Sequence, residues 1–181
     1  MPHKLMEEAL KRHHVPDEVC DLLIDNYSAF QQRVKSGSVI SDWHKFERGI
    51  ITGCTISAIL FSLAKSMVVK AAEQECRDPL SKSGACQPPI RAYMGEATVT
   101  TQTVIGCRWI VKALEKQMTW ARMHFKPGKS RSPVIKKGKV VDEITFKISN
   151  EKIPTLRKKP IRSLGKVFDC SLKDKSAISE T

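Results

Sequence analysis

The sequence predicts an α+β chain, with one main domain over residues 1–170 and a frayed tail over 171–181, on three observations. Apolar residues recur at helical spacing in four segments, tight-turn signals separate short β-prone runs, and the last third alternates apolar pairs with clusters of Lys and Arg. The expected elements are a β-hairpin, a long buried helix and a basic C-terminal β region. With 181 residues and 41% hydrophobic content, the chain is long and apolar enough to bury a core rather than remain disordered.

Taken in order, residues 3–14 carry Leu5, Ala9 and Leu10 on one helical face, with Lys4, Glu8, Lys11 and Arg12 opposite, and Pro16 ends the segment. A second helix over 16–30 starts at Pro16. Asp17 and Glu18 suit the positive end of its dipole, and Val19, Leu22, Leu23 and Tyr27 form its apolar spacing. Residues 33–35 and 39–43 flank Ser36-Gly37-Ser38 as a strand, a turn and a strand. From Thr55 to Glu73, Ile56, Leu60, Leu63, Met67 and Ala71 mark the buried face of a long helix. The stretch 50–64 runs 15 residues without a charge before Lys65. A bilayer span needs about 20 apolar residues, so this is expected to be a core helix, with no membrane partner.

Residues 77–89, with three prolines and Gly84, are expected to form a loop. Two β segments, 90–94 and 97–101, then bracket Gly95-Glu96 as a two-residue turn that glycine would ease by tolerating positive φ. A helix over 104–123 should turn Trp109, Ile110, Leu114, Met118 and Ala121 inward and Arg108, Lys112, Lys116 and Arg122 outward. Beyond it, 134–135, 140–148 and 161–168 read as strands, joined by basic turns at 126–131, 136–139 and 157–162.

Charge is distributed unevenly. Residues 1–120 hold 15 basic and 13 acidic side chains, whereas 121–181 hold 16 and 6, so nearly all of the net +12 lies in the last third. Lys126, Lys129, Arg131, Lys136, Lys137, Lys139, Arg157, Lys158, Lys159 and Arg162 are the candidate phosphate contacts there. The partner they imply is RNA or DNA, bound without sequence preference, because phosphate contacts position a strand but do not identify its bases.

Other signals are weak. None of the six cysteines sits at the C-x-x-C spacing of a zinc site, so reduced thiols are expected. Gly128-Lys129-Ser130 ends like a phosphate-binding loop, but Met123 stands where that motif needs its first glycine. The histidines lack an H-E-x-x-H partner, and Cys54 and Ser57 lack an identifiable base, so packing accounts for them better than catalysis. Trp109 and Trp120, on the expected helix, are assigned to the core. Charges at Lys4, Glu7 and Glu8 interrupt the apolar run that a secretory leader needs, so an intracellular location is expected.

Four segments, in order, resemble the palm of a reverse transcriptase, an RNA-directed DNA polymerase, of the non-LTR retrotransposon type. Residues 49–61 (GIITGCTISAILF) are similar to that family's G-x-x-Q-G-x-x-x-S-P-x-L-F segment. They keep Gly53 and Ser57 but have Thr52 for Gln and Ala58 for Pro. Tyr93-Met94-Gly95-Glu96 stands where the family has its Y/F-x-D-D hairpin. Residues 120–132 resemble the segment that follows, with Lys129 matching a lysine near the nucleotide phosphates. Residues 161–168 resemble the hydrophobic-Leu-Gly strand that grips the primer end, through Leu164 and Gly165. The likeness runs from about Pro2 to Asp169.

The resemblance also implies which groups are missing. Polymerisation needs two Mg²⁺ ions roughly 3.5–4 Å apart, held by carboxylates. The family takes these from a strand preceding its V-P-H-x-L segment and from the first hairpin Asp. Here the chain opens at Met1-Pro2-His3-Lys4-Leu5, just after the place of that strand, and the hairpin Asp is Gly95. Glu96 alone cannot bridge two ions. The expectation is a truncated, degenerate palm, with no catalytic residues, no bound metal and no polymerase activity, that keeps nonspecific nucleic-acid binding. The 90–101 hairpin would then have an open sheet edge. The alternatives are a non-enzymatic basic nucleic-acid-binding or scaffold protein, or a piece of a longer reverse transcriptase whose N-terminal part is missing.

Overall fold

The computed structural model describes residues 1–46, 49–75, 79–81 and 83–171. Cys76, part of the expected 77–89 loop and all but the first residue of the expected tail lie outside them. The fold is α+β. Helices α1 (His3–Arg12) and α2 (Asp17–Ala29) come first, followed by the short strands β1 (Gln31–Gln32), β2 (Lys35–Ser36), β3 (Val39–Ile40) and β4 (His44–Lys45). Next are helix α3 (Thr55–Glu73), strands β5 (Ile90–Tyr93) and β6 (Glu96–Val99), and helix α4 (Val104–Trp120). After a single 3₁₀ turn at Pro127–Lys129 come β7 (Val134–Lys136), β8 (Lys139–Val141), β9 (Lys147–Ile148), β10 (Glu151–Lys152), β11 (Ile161–Ser163) and β12 (Lys166–Phe168).

Helix α3 is the central element, with α1 and α4 packed against it. One core cluster joins Leu5 and Ala9 of α1, Ala64, Val68 and Ala72 of α3, Ile90 of β5, and Ile110, Ala113 and Leu114 of α4. A second joins Met6 and Leu10 of α1 to Cys20 and Tyr27 of α2 and Leu60 of α3. By length and composition α3 meets the requirements for crossing a bilayer, although both neighbours cover part of its apolar surface. Its buried positions, Leu60, Ala64, Val68 and Ala72, run one residue out of step with the expected Leu63, Met67 and Ala71, which are half-buried. In α2, Tyr27 is buried as expected, but Val19 and Leu22 are exposed and Cys20 is buried instead.

Chain reversals after α1 and α4 set how these helices meet the next elements. At the end of α1, the amides of His14 and Val15 donate to Lys11 O and Leu10 O, with His14 at φ 55°. At the end of α4, Arg122 and Met123 donate to Thr119 O and Met118 O, with Arg122 at φ 51°. Both are left-handed caps of the Schellman type, made without glycine. Thr103 caps the other end of α4, its Oγ1 accepting from Gly106 N at 3.0 Å.

Among the described residues every strand belongs to a separate two-stranded antiparallel pair. The early hairpin pairs Lys35 with Ile40 and Ser36 with Val39 around Gly37-Ser38, a shorter turn than the expected three residues. It is extended by an unforeseen pairing of Gln31–Gln32 with His44–Lys45. In the last third, the expected strand 140–148 is divided between β8 and β9, and 161–168 is a hairpin. Residues 142–146 separate β8 from β9, and each of the three strand pairs here closes on a two-residue turn. Lys137-Gly138, Ser149-Asn150 and Leu164-Gly165 all have positive φ at both residues, the type I′ geometry that matches the twist of a two-residue hairpin. Phe146, Ile148 and Ile153 pack the β9–β10 hairpin onto Val104, Cys107 and Val111 of α4.

Candidate nucleic-acid interface

The β5–β6 hairpin pairs Ile90 with Val99, Arg91 with Thr98, Ala92 with Ala97 and Tyr93 with Glu96. The turn is therefore Met94-Gly95, one residue before the expected Gly95-Glu96, and Glu96 is the first residue of β6. Positive φ falls on Met94 at 43° and not on Gly95. A Cβ built at Gly95 meets nothing within 4 Å, so neither backbone nor packing demands glycine there. Neither strand pairs with a third among the described residues, leaving both outer edges of the hairpin open.

Glu96 is exposed, and its Oε2 accepts from Ser163 Oγ of β11 at 2.5 Å. This contact joins two of the motif-like segments across 67 residues. Gly95 supplies no side-chain oxygen, so the hairpin turn offers one carboxylate, already engaged, where a pair of hard cations needs several. The residues present do not fit two Mg²⁺ ions. Among the described residues no group of three or more His, Cys, Asp or Glu side chains is arranged to hold a metal ion.

Behind the turn lies a residue that sequence reasoning passed over. Lys65 of α3 is 7% exposed, and its ammonium donates to Met94 O and, at 2.6 Å, to Glu96 O. A charge that ended the apolar run in the sequence is thus the strut fixing the hairpin turn on α3, with its nitrogen 5.9 Å from the Phe61 ring centroid. Burial holds the Lys65 ammonium below the usual lysine pKa, and the Glu96 charge opposes this only in part. Between its folded and unfolded pKa values the unfolded chain binds more protons, so this group makes stability rise with pH through that alkaline window. Urea unfolding of the wild type and of Lys65→Met across that range is expected to show this rise only in the wild type. A parallel response in both would rule out Lys65 as its source.

The basic turns are connected by arginines. Arg131 Nε donates to Lys159 O at 2.9 Å, and its Nη1 to Gly128 O at 2.8 Å and Ser130 O at 2.6 Å. The 126–131 turn is thereby tied to the 157–162 segment. Arg157 Nε lies 3.3 Å from Asp142 Oδ2, linking that segment to the end of β8. Three of the ten predicted contacts are consequently engaged within the fold: Arg131 by carbonyls, Arg157 by Asp142, and Lys136 by Glu143 at 3.5 Å. Lys126, Lys129, Lys137, Lys139, Lys158, Lys159 and Arg162 are exposed, with no ion pair among the described residues. They form the cationic surface that remains available.

The remaining motif positions have structural explanations. Gly53 takes φ 87° just before α3, a backbone that favours glycine. Ser57 is 4% exposed, its Oγ 2.6 Å from the Tyr27 hydroxyl, which joins α2 to α3. Its hydroxyl also holds the Cys54 thiol below the usual cysteine value. Tyr93 and Leu164 are exposed, and Leu164-Gly165 is a hairpin tip where a continuous strand was expected. The largest departure from expectation concerns α4. Trp109 and Trp120 are each 64% exposed, because Ile110, Ala113, Leu114 and Ala121 fill the core side.

No protein-family model matches the chain, and no curated protein matches it.

Proposed function

We propose that the chain is a degenerate reverse-transcriptase palm, a partial polymerase domain that has lost polymerisation and retains salt-sensitive, sequence-independent binding to RNA or DNA. The observation that carries this proposal is the Ser163–Glu96 contact. The two hairpins that resemble the catalytic and primer-grip segments of that family lie against each other, although 67 residues apart in the chain. The turn of the hairpin that resembles the catalytic segment is anchored, through Lys65, on α3, the long helix that begins within the first motif-like segment. Loss of chemistry rests on Gly95, which removes a metal-holding carboxylate from a turn that has room for one. The arginine-tied surface bearing Lys126, Lys129, Lys137, Lys139, Lys158, Lys159 and Arg162 supplies the phosphate contacts.

Primer extension on an RNA template, with Mg²⁺ and deoxynucleotides, tests the catalytic half. No extension by the purified, folded chain is expected. Extension that Glu96→Ala abolishes would overturn the assignment of inactivity. Titration against single-stranded and duplex nucleic acid at low and high salt tests the binding half, and absence of binding at low salt would remove it.

A further inference from the structure

The exposed face of α4 combines aromatic and cationic groups in a way that the basic hairpins do not. At about 100° per residue, Trp109, Lys116 and Trp120 fall within about 40° of one another around the helix, with Lys116 between the two indoles along the axis. Arg108 and Lys112 flank them on the same exposed side. The two indoles are 11 residues apart, about 16 Å along the axis. The only acidic residue of α4, Glu115, is engaged by the β9–β10 turn, accepting from Ser149 N at 2.6 Å and Ser149 Oγ at 2.8 Å. Lys116 is ion-paired with Glu75 at 3.7 Å, both side chains being exposed, so a phosphate there takes the place of that carboxylate.

We propose that α4 is a stacking platform for single-stranded nucleic acid, with unpaired bases on Trp109 and Trp120 and phosphates on Arg108, Lys112 and Lys116. This rests on the nucleic-acid reading above and adds the strand class and a second contact surface. Charge complementarity identifies the occupant, since three cations interleaved with two large π-faces match a polyanion that carries flat rings. Indoles on a convex helix reach bases only where these are unpaired and splayed, because in a duplex the base faces are covered by their neighbours. Stacking accepts any base, so no sequence preference is expected. The indoles are carried by α4, which Ile110, Ala113 and Leu114 anchor in the core, so the helix beneath them is fixed before the strand arrives.

The test uses intrinsic fluorescence in a Trp43→Phe background, so that the signal comes only from Trp109 and Trp120. A single-stranded oligothymidylate should quench it saturably at low salt. Trp109→Ala and Trp120→Ala should each weaken single-strand affinity about tenfold, while affinity for a duplex of equal length stays within about twofold. Lys112→Glu combined with Lys116→Glu, which leaves both indoles in place, should also weaken single-strand binding. Unfolding midpoints of the tryptophan variants should match the parent, because both side chains are exposed. Unchanged single-strand affinity in the tryptophan variants, or equal losses for single strand and duplex, overturns the platform and leaves the basic-hairpin reading intact. No binding of either nucleic acid overturns both. Quenching by polyglutamate but not by oligothymidylate also overturns the platform, in favour of an acidic protein partner.

Discussion

Raising the salt concentration from about 50 to about 200 mM is expected to weaken duplex binding by about a thousandfold, the consequence of releasing counterions from about six phosphates. Of the seven predicted phosphate contacts that are exposed and have no ion pair among the described residues, about six in simultaneous contact give a log–log slope near −5. The variant Lys129→Ala/Lys137→Ala/Lys139→Ala should reduce the magnitude of that slope by about 3, close to one per lost contact. Arg131→Ala should act differently. Its guanidinium is committed to the carbonyls of Gly128, Ser130 and Lys159, so its loss loosens the junction between two basic turns. Fluorescence anisotropy across a salt series separates these cases. A slope unchanged in the triple lysine variant would show that phosphates bind elsewhere.

Ile110→Ala should have the largest effect on stability. Ile110 is fully buried on α4, in the cluster that unites α1, α3, α4 and β5. Truncating such a side chain costs about 2–5 kcal/mol, from lost transfer energy and the cavity left behind. Against a typical total of about 5–15 kcal/mol, that is enough to unfold a marginal domain. Leu22→Ala is the matched contrast. Leu22 is 68% exposed, so its truncation should shift stability by no more than about 0.5 kcal/mol. Urea unfolding followed by circular dichroism would measure both. Similar costs at the two positions would contradict the packing described.

The contrast also indicates what the sequence could reveal. Helix α3 matched its expected bounds, because a 15-residue uncharged run followed by continued helical spacing has few alternatives. The β5–β6 hairpin was recognisable, but its turn was misplaced by one residue because glycine drew the assignment toward itself, whereas Met94 takes the positive φ. The buried face of α4 was legible through Ile110, Leu114 and Ala121, but the exposure of Trp109 and Trp120 was not. Hydrophobic periodicity gives most weight to large residues, yet α4 packs on two sides through Ala113, Ala121, Val104 and Cys107, and the tryptophans fall on the third. The expected strand 140–148 breaks at 142–146, between β8 and β9, where neither glycine nor proline marks an interruption. Lys65 read as the end of an apolar stretch because its carbonyl partners lie 29 and 31 residues away. The basic residues were all visible in sequence, but not the division between Arg131 and Arg157, which hold the turns together, and the lysines left facing solvent.

Ultraviolet cross-linking of the folded chain to a uridine-rich RNA, with adducts mapped by mass spectrometry, tests the central claim most directly. Adducts within 126–139 and 157–162 are the predicted result, disappearing as salt rises. Adducts confined to α1, α2 and the early hairpins, or none at low salt, would contradict a palm-like remnant that keeps nucleic acid on its basic C-terminal turns.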